Sequence, residues 1–118
     1  MTRSGASSWV IELELVELTT QTREIRSFVV ADKPIILGRL RSCTICIAPR
    51  GNAGRRNTKI TVSEGGQVIV EDLGPFTFVN GRYLSSLYAL QPGDWIHVGD
   101  YGLRLVAPAR PATPAAQR

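Results

Sequence analysis

The chain is poor in the residues that catalysis and metal binding draw on. Its 118 residues include one histidine, one methionine and two cysteines. Two cysteines cannot staple a domain of this size, and their number gives no sign of an oxidising compartment. No apolar run approaches the length needed to span a bilayer. Residues 1–8 lack the apolar centre of a secretory signal, so the cytoplasm is the expected location and membrane insertion is not expected. No helical periodicity is sustained over three turns. Acidic residues are missing altogether between Lys33 and Ser63. The length allows one domain with one core.

Within that acid-free window stand Lys33, Arg39, Arg41, Arg50, Arg55, Arg56 and Lys59, half of the 14 basic residues. Glu12, Glu14, Glu17, Glu24 and Asp32 precede it, and Glu64, Glu71 and Asp72 follow it. A local positive field of this kind attracts phosphate groups, acidic peptides or nucleic acid. A solvated basic loop that binds nothing has the same composition.

Strand signals fill the remainder. Ile11, Leu13 and Leu15 alternate with Glu12 and Glu14, which puts apolar side chains on one face and carboxylates on the other. Short runs at Phe28–Val30, Pro34–Leu37, Thr44–Ile47, Lys59–Val62, Gln67–Val70, Thr77–Val79, Tyr83–Leu84, Trp95–Val98 and Leu103–Val106 read as strands. Turn residues separate them: Glu64-Gly65-Gly66, Asn80-Gly81, Pro92-Gly93-Asp94 and Gly99-Asp100. About ten short strands without a helix predict an all-β sandwich or barrel. Residues 1–8 are expected to be flexible. The Ala- and Pro-rich stretch 107–118 is expected to be a disordered tail or linker.

No convergent catalytic set is present, and neither enzyme activity nor a cofactor is expected. Cys43-Thr44-Ile45-Cys46 is formally C-x-x-C, but on a strand its sulfurs would point to opposite faces. A structural zinc site wants four ligands, and only His97 is left to add, so no metal is expected. His97 has no nucleophile tied to it by a recognisable motif and reads as a surface or edge residue. Asp94 reads as a turn-capping carboxylate. Binding of nucleic acid suits the basic window and a sequence pI near 9.6, yet that window contains no aromatic residue for bases to stack on.

The punctuation resembles a known family. Ile36-Leu37-Gly38-Arg39, a basic loop, Val70-Glu71-Asp72-Leu73-Gly74, Phe78-Val79-Asn80-Gly81 and Leu90-Gln91-Pro92-Gly93-Asp94-Trp95-Ile96-His97-Val98-Gly99 follow one another at spacings similar to those of forkhead-associated (FHA) domains. The resemblance spans about residues 9–106. It implies an eleven-stranded β-sandwich whose loops at one end bind phosphothreonine peptides, with Arg39 at the phosphate-contacting position. A guanidinium suits that task because it offers charge-assisted, fork-shaped hydrogen bonds. A salt bridge from Arg39 to Asp72 or Glu71 is the purely structural alternative.

This chain departs from the family pattern at two places. The family's serine, basic residue and loop-bracing histidine align with Gly54, Arg55 and Asn57 here, so only the basic residue is kept. After Gly74 the family's Ser-Thr-Asn-Gly-Thr run is replaced by Pro75-Phe76-Thr77, which removes the asparagine that holds the peptide backbone. Each lost hydrogen bond to a charged group costs roughly 1.5–3 kcal/mol. Two such losses would weaken phosphopeptide binding by roughly two to four decades.

The candidate ligand-contacting residues are Arg39, Arg41, Arg55, Arg56, Asn57, Thr77 and Asn80, with Gly54 and Pro75 as lost motif positions. Two mechanisms follow: the first is a grip on phosphothreonine by Arg39 and Arg55, and the second, which is the expected one because the serine and asparagine are lost, is phosphate-independent docking of a partner protein through the altered loops. The first suits a serine/threonine-kinase pathway. The second suits a scaffold role, since such modules also occur in bacterial signalling and secretion assemblies. Thr19, Thr20 and Thr22 are further candidates, as phosphorylation sites recognised by another copy.

Overall fold

The protein is described by a computed structural model that covers residues 8–47, 54–74 and 77–112. Twelve strands run in chain order: β1 Trp9–Glu17, β2 Thr22–Val30, β3 Ile35–Gly38, β4 Ile45–Cys46, β5 Thr58–Val62, β6 Val68–Asp72, β7 Phe78–Val79, β8 Arg82–Tyr83, β9 Leu87–Leu90, β10 Trp95–Val98, β11 Tyr101–Leu105 and β12 Arg110–Pro111. There is no helix among the described residues. The strands form a seven-stranded sheet of β12, β1, β11, β10, β7 and β8 with β2 on the other side of β1, and a five-stranded sheet ordered β4-β3-β5-β6-β9.

The core lies between the two sheets and follows from period-2 patterning. Ile11, Leu13 and Leu15 of β1, with Ile96, Val98, Leu103 and Leu105 from β10 and β11, face Ile35, Leu37, Ile60 and Val70 of the smaller sheet. The carboxylates that alternate with them take the outer face, as their spacing predicts. Glu14 is nevertheless buried there, because Arg23 holds one oxygen at 3.0 Å and Arg104 the other at 2.8 Å. Arg104 in turn lies over the Trp95 ring at 5.8 Å.

The expected hairpin around Gly65-Gly66 joins β5 to β6, with Val62 opposite Val68. Asn80 and Gly81 both take positive φ, 52° and 84°, as a two-residue turn with the twist of its strands requires. Three strand regions differ from the sequence expectation. β2 begins at Thr22, well before the apolar run at 28–30, because its first six residues are held by backbone pairing to β1 while their side chains stay exposed. β9 pairs with β6 through Leu87–Leu90, although Leu87 and Tyr88 are exposed. Within the stretch assigned to the tail, Val10 and Trp9 pair with Arg110 and Pro111, and the Ala112 amide donates to the Ser8 carbonyl. Backbone hydrogen bonding holds these residues, and a side-chain pattern does not reveal it. Residues 1–7 and 113–118 lie outside the described residues.

Candidate binding end of the sandwich

One end of the sandwich gathers the end of β3, the starts of β5 and β7, and the end of β6. β4 runs parallel to β3, with Leu37 opposite Ile45 and Gly38 opposite Cys46, so the loop after β3 returns to the same place. β5 then starts antiparallel to β3, with Leu37 opposite Thr58. This arrangement brings the basic loops on either side of β4 together.

Gly38 permits their close approach. A Cβ built on it would overlap the Arg55 carbonyl oxygen and would lie 2.7 Å from its carbon and 2.9 Å from the Arg56 Cα. The space thus freed is used by backbone hydrogen bonds: the Arg39 amide donates to the Gly54 carbonyl at 3.1 Å and the Leu40 amide to the Arg55 carbonyl at 3.3 Å. Arg39 and Arg55 are therefore tied to each other through main chain. Arg39, Arg41, Arg55 and Arg56 all keep their side chains exposed. Arg41, Arg55 and Arg56 form no salt bridge among the described residues. Glu71 faces Lys59 at 4.0 Å, and Asp72 accepts a hydrogen bond from Thr77. Arg50, Pro75 and Phe76 lie outside the described residues.

Asn57 and Thr77, expected as ligand contacts, are instead buried at 0% exposure together with Thr58. They form one network. The Asn57 amide group donates to Thr77 Oγ1 at 2.9 Å and to Thr58 Oγ1 at 3.2 Å. Thr58 and Thr77 hydroxyls are 2.8 Å apart. Thr77 lies 2.6 Å from Asp72 Oδ1. A hydroxyl has one proton, and the short bond to a carboxylate claims that of Thr77, so Thr58 is the donor between the threonines. Asn57 Oδ1 accepts from the Gly54 amide at 2.6 Å. Its backbone adds a donation to the Leu37 carbonyl and accepts from the Leu73 amide. Asn57 thus joins β3, β5 and the loops at 54 and 73. This is the bracing task that the family resemblance assigns to a histidine, carried here by an amide.

Asn80 also falls elsewhere. It sits at the opposite end of β7, where its amide group donates to Asp94 Oδ1 at 3.0 Å and its Oδ1 accepts from the Trp95 amide at 2.9 Å. Asp94 caps its own turn by accepting from the Gln91 amide, as expected. His97 stacks on Trp95 at 5.8 Å, and its strand β10 lies between β11 and β7, so it is not an edge residue.

Sequence reasoning missed what the cysteines do. Neither forms a disulfide. Buried Cys43 sits in the turn before β4 and donates its thiol to the Arg55 carbonyl at 3.3 Å. Exposed Cys46 contacts the Arg39 carbonyl at 3.5 Å. Each thiol thus braces the backbone of one of the two candidate phosphate-contacting arginines, and the C-x-x-C spacing carries no signal for that. Among the described residues no group of three histidine, cysteine or acidic side chains is placed to hold a metal. No helix is long and apolar enough to cross a membrane.

A β-sandwich with arginines presented on interlocked loops at one end defines a binding module. The FHA domain family matches residues 35–99, more than half of the chain, and the chain belongs to that family of phosphopeptide-binding interaction modules, which are not enzymes. The fold is similar to the FHA domain of the CT664 protein from Chlamydia trachomatis, at a TM-score of 0.67 and 21% identity over 82% of this chain and 96% of that one. It is similar also to the N-terminal FHA domain of Rad53p from S. cerevisiae in complex with a phosphothreonine peptide, at 0.66 and 22% over 81% and 92%. The FhaA FHA domain complexed with the intracellular domain of Rv3910 aligns at 0.63 and 22% over 80% and 98%. No curated protein matches the chain.

Proposed function

We propose that the chain docks a partner protein by gripping a phosphothreonine between Arg39 and Arg55, with Arg41 and Arg56 raising the local potential. The observation that carries this reading is the main-chain interlock under Gly38, which holds both arginine backbones in register while their side chains face solvent. A site for a dianion needs donors fixed before binding, because fixing them afterwards costs side-chain and loop entropy. Membership of a phosphopeptide-binding family supports the same ligand. The partner is a phosphorylated protein of a serine/threonine-kinase pathway, or a component of a secretion assembly under such control. Two free thiols suit a reducing cytoplasmic compartment.

A second reading, phosphate-independent docking, is favoured by one feature. Gly54 has no hydroxyl to offer, and Asn57, Thr77 and Asn80 are bonded within the protein. Nucleic acid is disfavoured because Trp95, His97, Phe78 and Tyr83 are set on strands β10, β7 and β8 and not on the basic loops.

Calorimetry with paired phosphothreonine and threonine peptide libraries separates the readings. The phosphate reading expects binding of phosphopeptides only, weakened about 10- to 100-fold by Arg39→Ala or Arg55→Ala, in line with the loss of one charged hydrogen bond. Equal affinity for both libraries, unchanged by either substitution, would establish the second reading. Binding to oligonucleotides that falls steeply with salt would favour neither and would point to nucleic acid.

A further inference from the structure

Among the sheet edges, β2 is unlike the others. β4, β8 and β12 are two residues long and β9 is four, whereas β2 is nine and pairs with β1 alone among the described residues. Its register with β1 is continuous from Thr22 to Val30, so no bulge turns the edge aside. It contains no proline or lysine, and the guard it does carry is charge, Arg23, Glu24 and Arg26, of both signs, so that a second copy of the same edge can meet it with opposite charges. Thr22 through Ser27 are exposed, and Ile25, the apolar residue at their centre, is 60% exposed.

The charges on this edge have a symmetry of their own. Glu24 and Arg26 flank Ile25 and face each other along the strand at 3.7 Å, each about half exposed. Consider an antiparallel pairing of β2 with β2 of a second copy, with the two-fold axis at Ile25. Glu24 then lies opposite Arg26 of the second copy, and Arg26 opposite its Glu24. Arg23 meets Ser27, Thr22 meets Phe28, and the two Ile25 side chains meet on the axis. Cross-strand neighbours of opposite charge attract and like charges repel. Shifting the axis to Glu24 puts two carboxylates in contact, and shifting it to Arg26 does the same to two guanidiniums. A half-residue shift toward Glu24 sets Arg23 against Arg26. The Ile25-centred register is thus the one nearby register in which both charges find opposite partners.

We propose that β2 is a self-association edge, and that two copies of this chain join through an isologous, antiparallel β2–β2 contact centred on Ile25, extending the seven-stranded sheet across the dimer. The inference stands independently of what the arginine end binds. It has a geometric consequence for that end. The β1–β2 turn is at the same end as the Gly38 loops: Leu18 bonds to Asp100 in the turn after β10, β10 runs antiparallel to β7, and Thr77 before β7 is bonded to Asn57. Antiparallel pairing therefore points the two arginine ends in opposite directions, and a dimer would link two separate partner molecules instead of two sites on one.

Sedimentation velocity on the full chain, from low micromolar to submillimolar concentration, tests the proposal with three variants. The unmodified chain is expected to show a concentration-dependent dimer. Glu24→Arg alone and Arg26→Glu alone each replace two attractive contacts by two repulsive ones, and each should weaken dimerisation by about tenfold or more. The double exchange Glu24→Arg with Arg26→Glu restores opposite charges across the axis and should restore the dimer. These side chains are exposed, so the folded monomer is retained and its circular dichroism unchanged. A chain that stays monomeric throughout the range overturns the proposal. So does a dimer that ignores the single exchanges, or one that the double exchange does not restore.

Discussion

Gly38→Ala is the smallest change that separates the binding end from the rest of the fold. The added methyl has nowhere to go. Its neighbours, the Arg55 carbonyl and the Arg56 Cα at 2.9 Å, are backbone atoms that cannot escape by changing rotamer. Comfortable carbon contacts begin at about 3.5 Å, so the segment at 54–56 must retreat by roughly 1 Å. That retreat breaks or stretches the bonds from Arg39 to Gly54 and from Leu40 to Arg55. Two backbone hydrogen bonds contribute roughly 0.5–1.5 kcal/mol each. Overpacking adds about 1–3 kcal/mol where the retreat is only partial. Urea unfolding should therefore show a loss of about 2–6 kcal/mol, and phosphopeptide calorimetry should show that Arg39 and Arg55 no longer act together. Should the segment swing away instead, the stability loss is the smaller figure and the binding loss remains. Gly65→Ala is the control, since a Cβ there meets nothing within 4 Å. A Gly38→Ala protein with the control's stability and undiminished peptide affinity would refute the close-approach argument.

Asn57→Ala deletes the amide that ties Gly54, Thr58 and Thr77 together. Burial without partners makes this cost about 2–4 kcal/mol, read from the urea midpoint at constant slope. Gly54→Ser returns a hydroxyl to the motif position. Its Cβ would stand 3.2 Å from Asn57 Oδ1, which hydrogen bonds hold in place, so the loop at 54 must give by a few tenths of an ångström; with circular dichroism confirming the fold, phosphopeptide affinity should rise by about tenfold or more. No gain would mean that residue 54 does not face the phosphate. Burial, and then the carboxylate of Glu17 whose Oε1 is 3.4 Å from its hydroxyl, raise the Tyr101 pKa above the usual tyrosine value of 10.0. The folded state thus holds this proton longer than the unfolded chain does. Its contribution is complete below the unfolded pKa and is lost as pH rises through the folded one. Ultraviolet titration should show one tyrosine ionising later than the others, and Tyr101→Phe should remove that late step.

How much was legible depends on whether a residue's role is local or relational. The alternation of Ile11, Leu13 and Leu15 states a strand and its buried face, because period 2 is a property of neighbours in sequence. Asn80-Gly81 states a tight turn for the same reason, since positive φ is a property of one or two residues. The resemblance of the turns then supplied the family. β2 and β12 were not legible in this way: their main chains are ordered by bonds to β1, while the side chains of Thr22–Ser27 carry no buried stripe. At the site the same division applies. Arg39 is proposed from its place directly after β3 and Arg55 from the resemblance alone, and neither reading depends on a distant partner. From sequence Asn57 reads as a candidate ligand contact, and Cys43 only as half of a C-x-x-C spacing with diverging sulfurs. Both roles are set by groups remote in sequence: Thr77 for the one, the Arg55 carbonyl for the other. Asn57 serves as a brace here because the buried hydroxyls of Thr58 and Thr77 accept from its amide group, and Asp72 in turn accepts from Thr77. At Asn57 the departure from the family pattern thus leaves the loops at 54 and 73 braced by other hydrogen bonds.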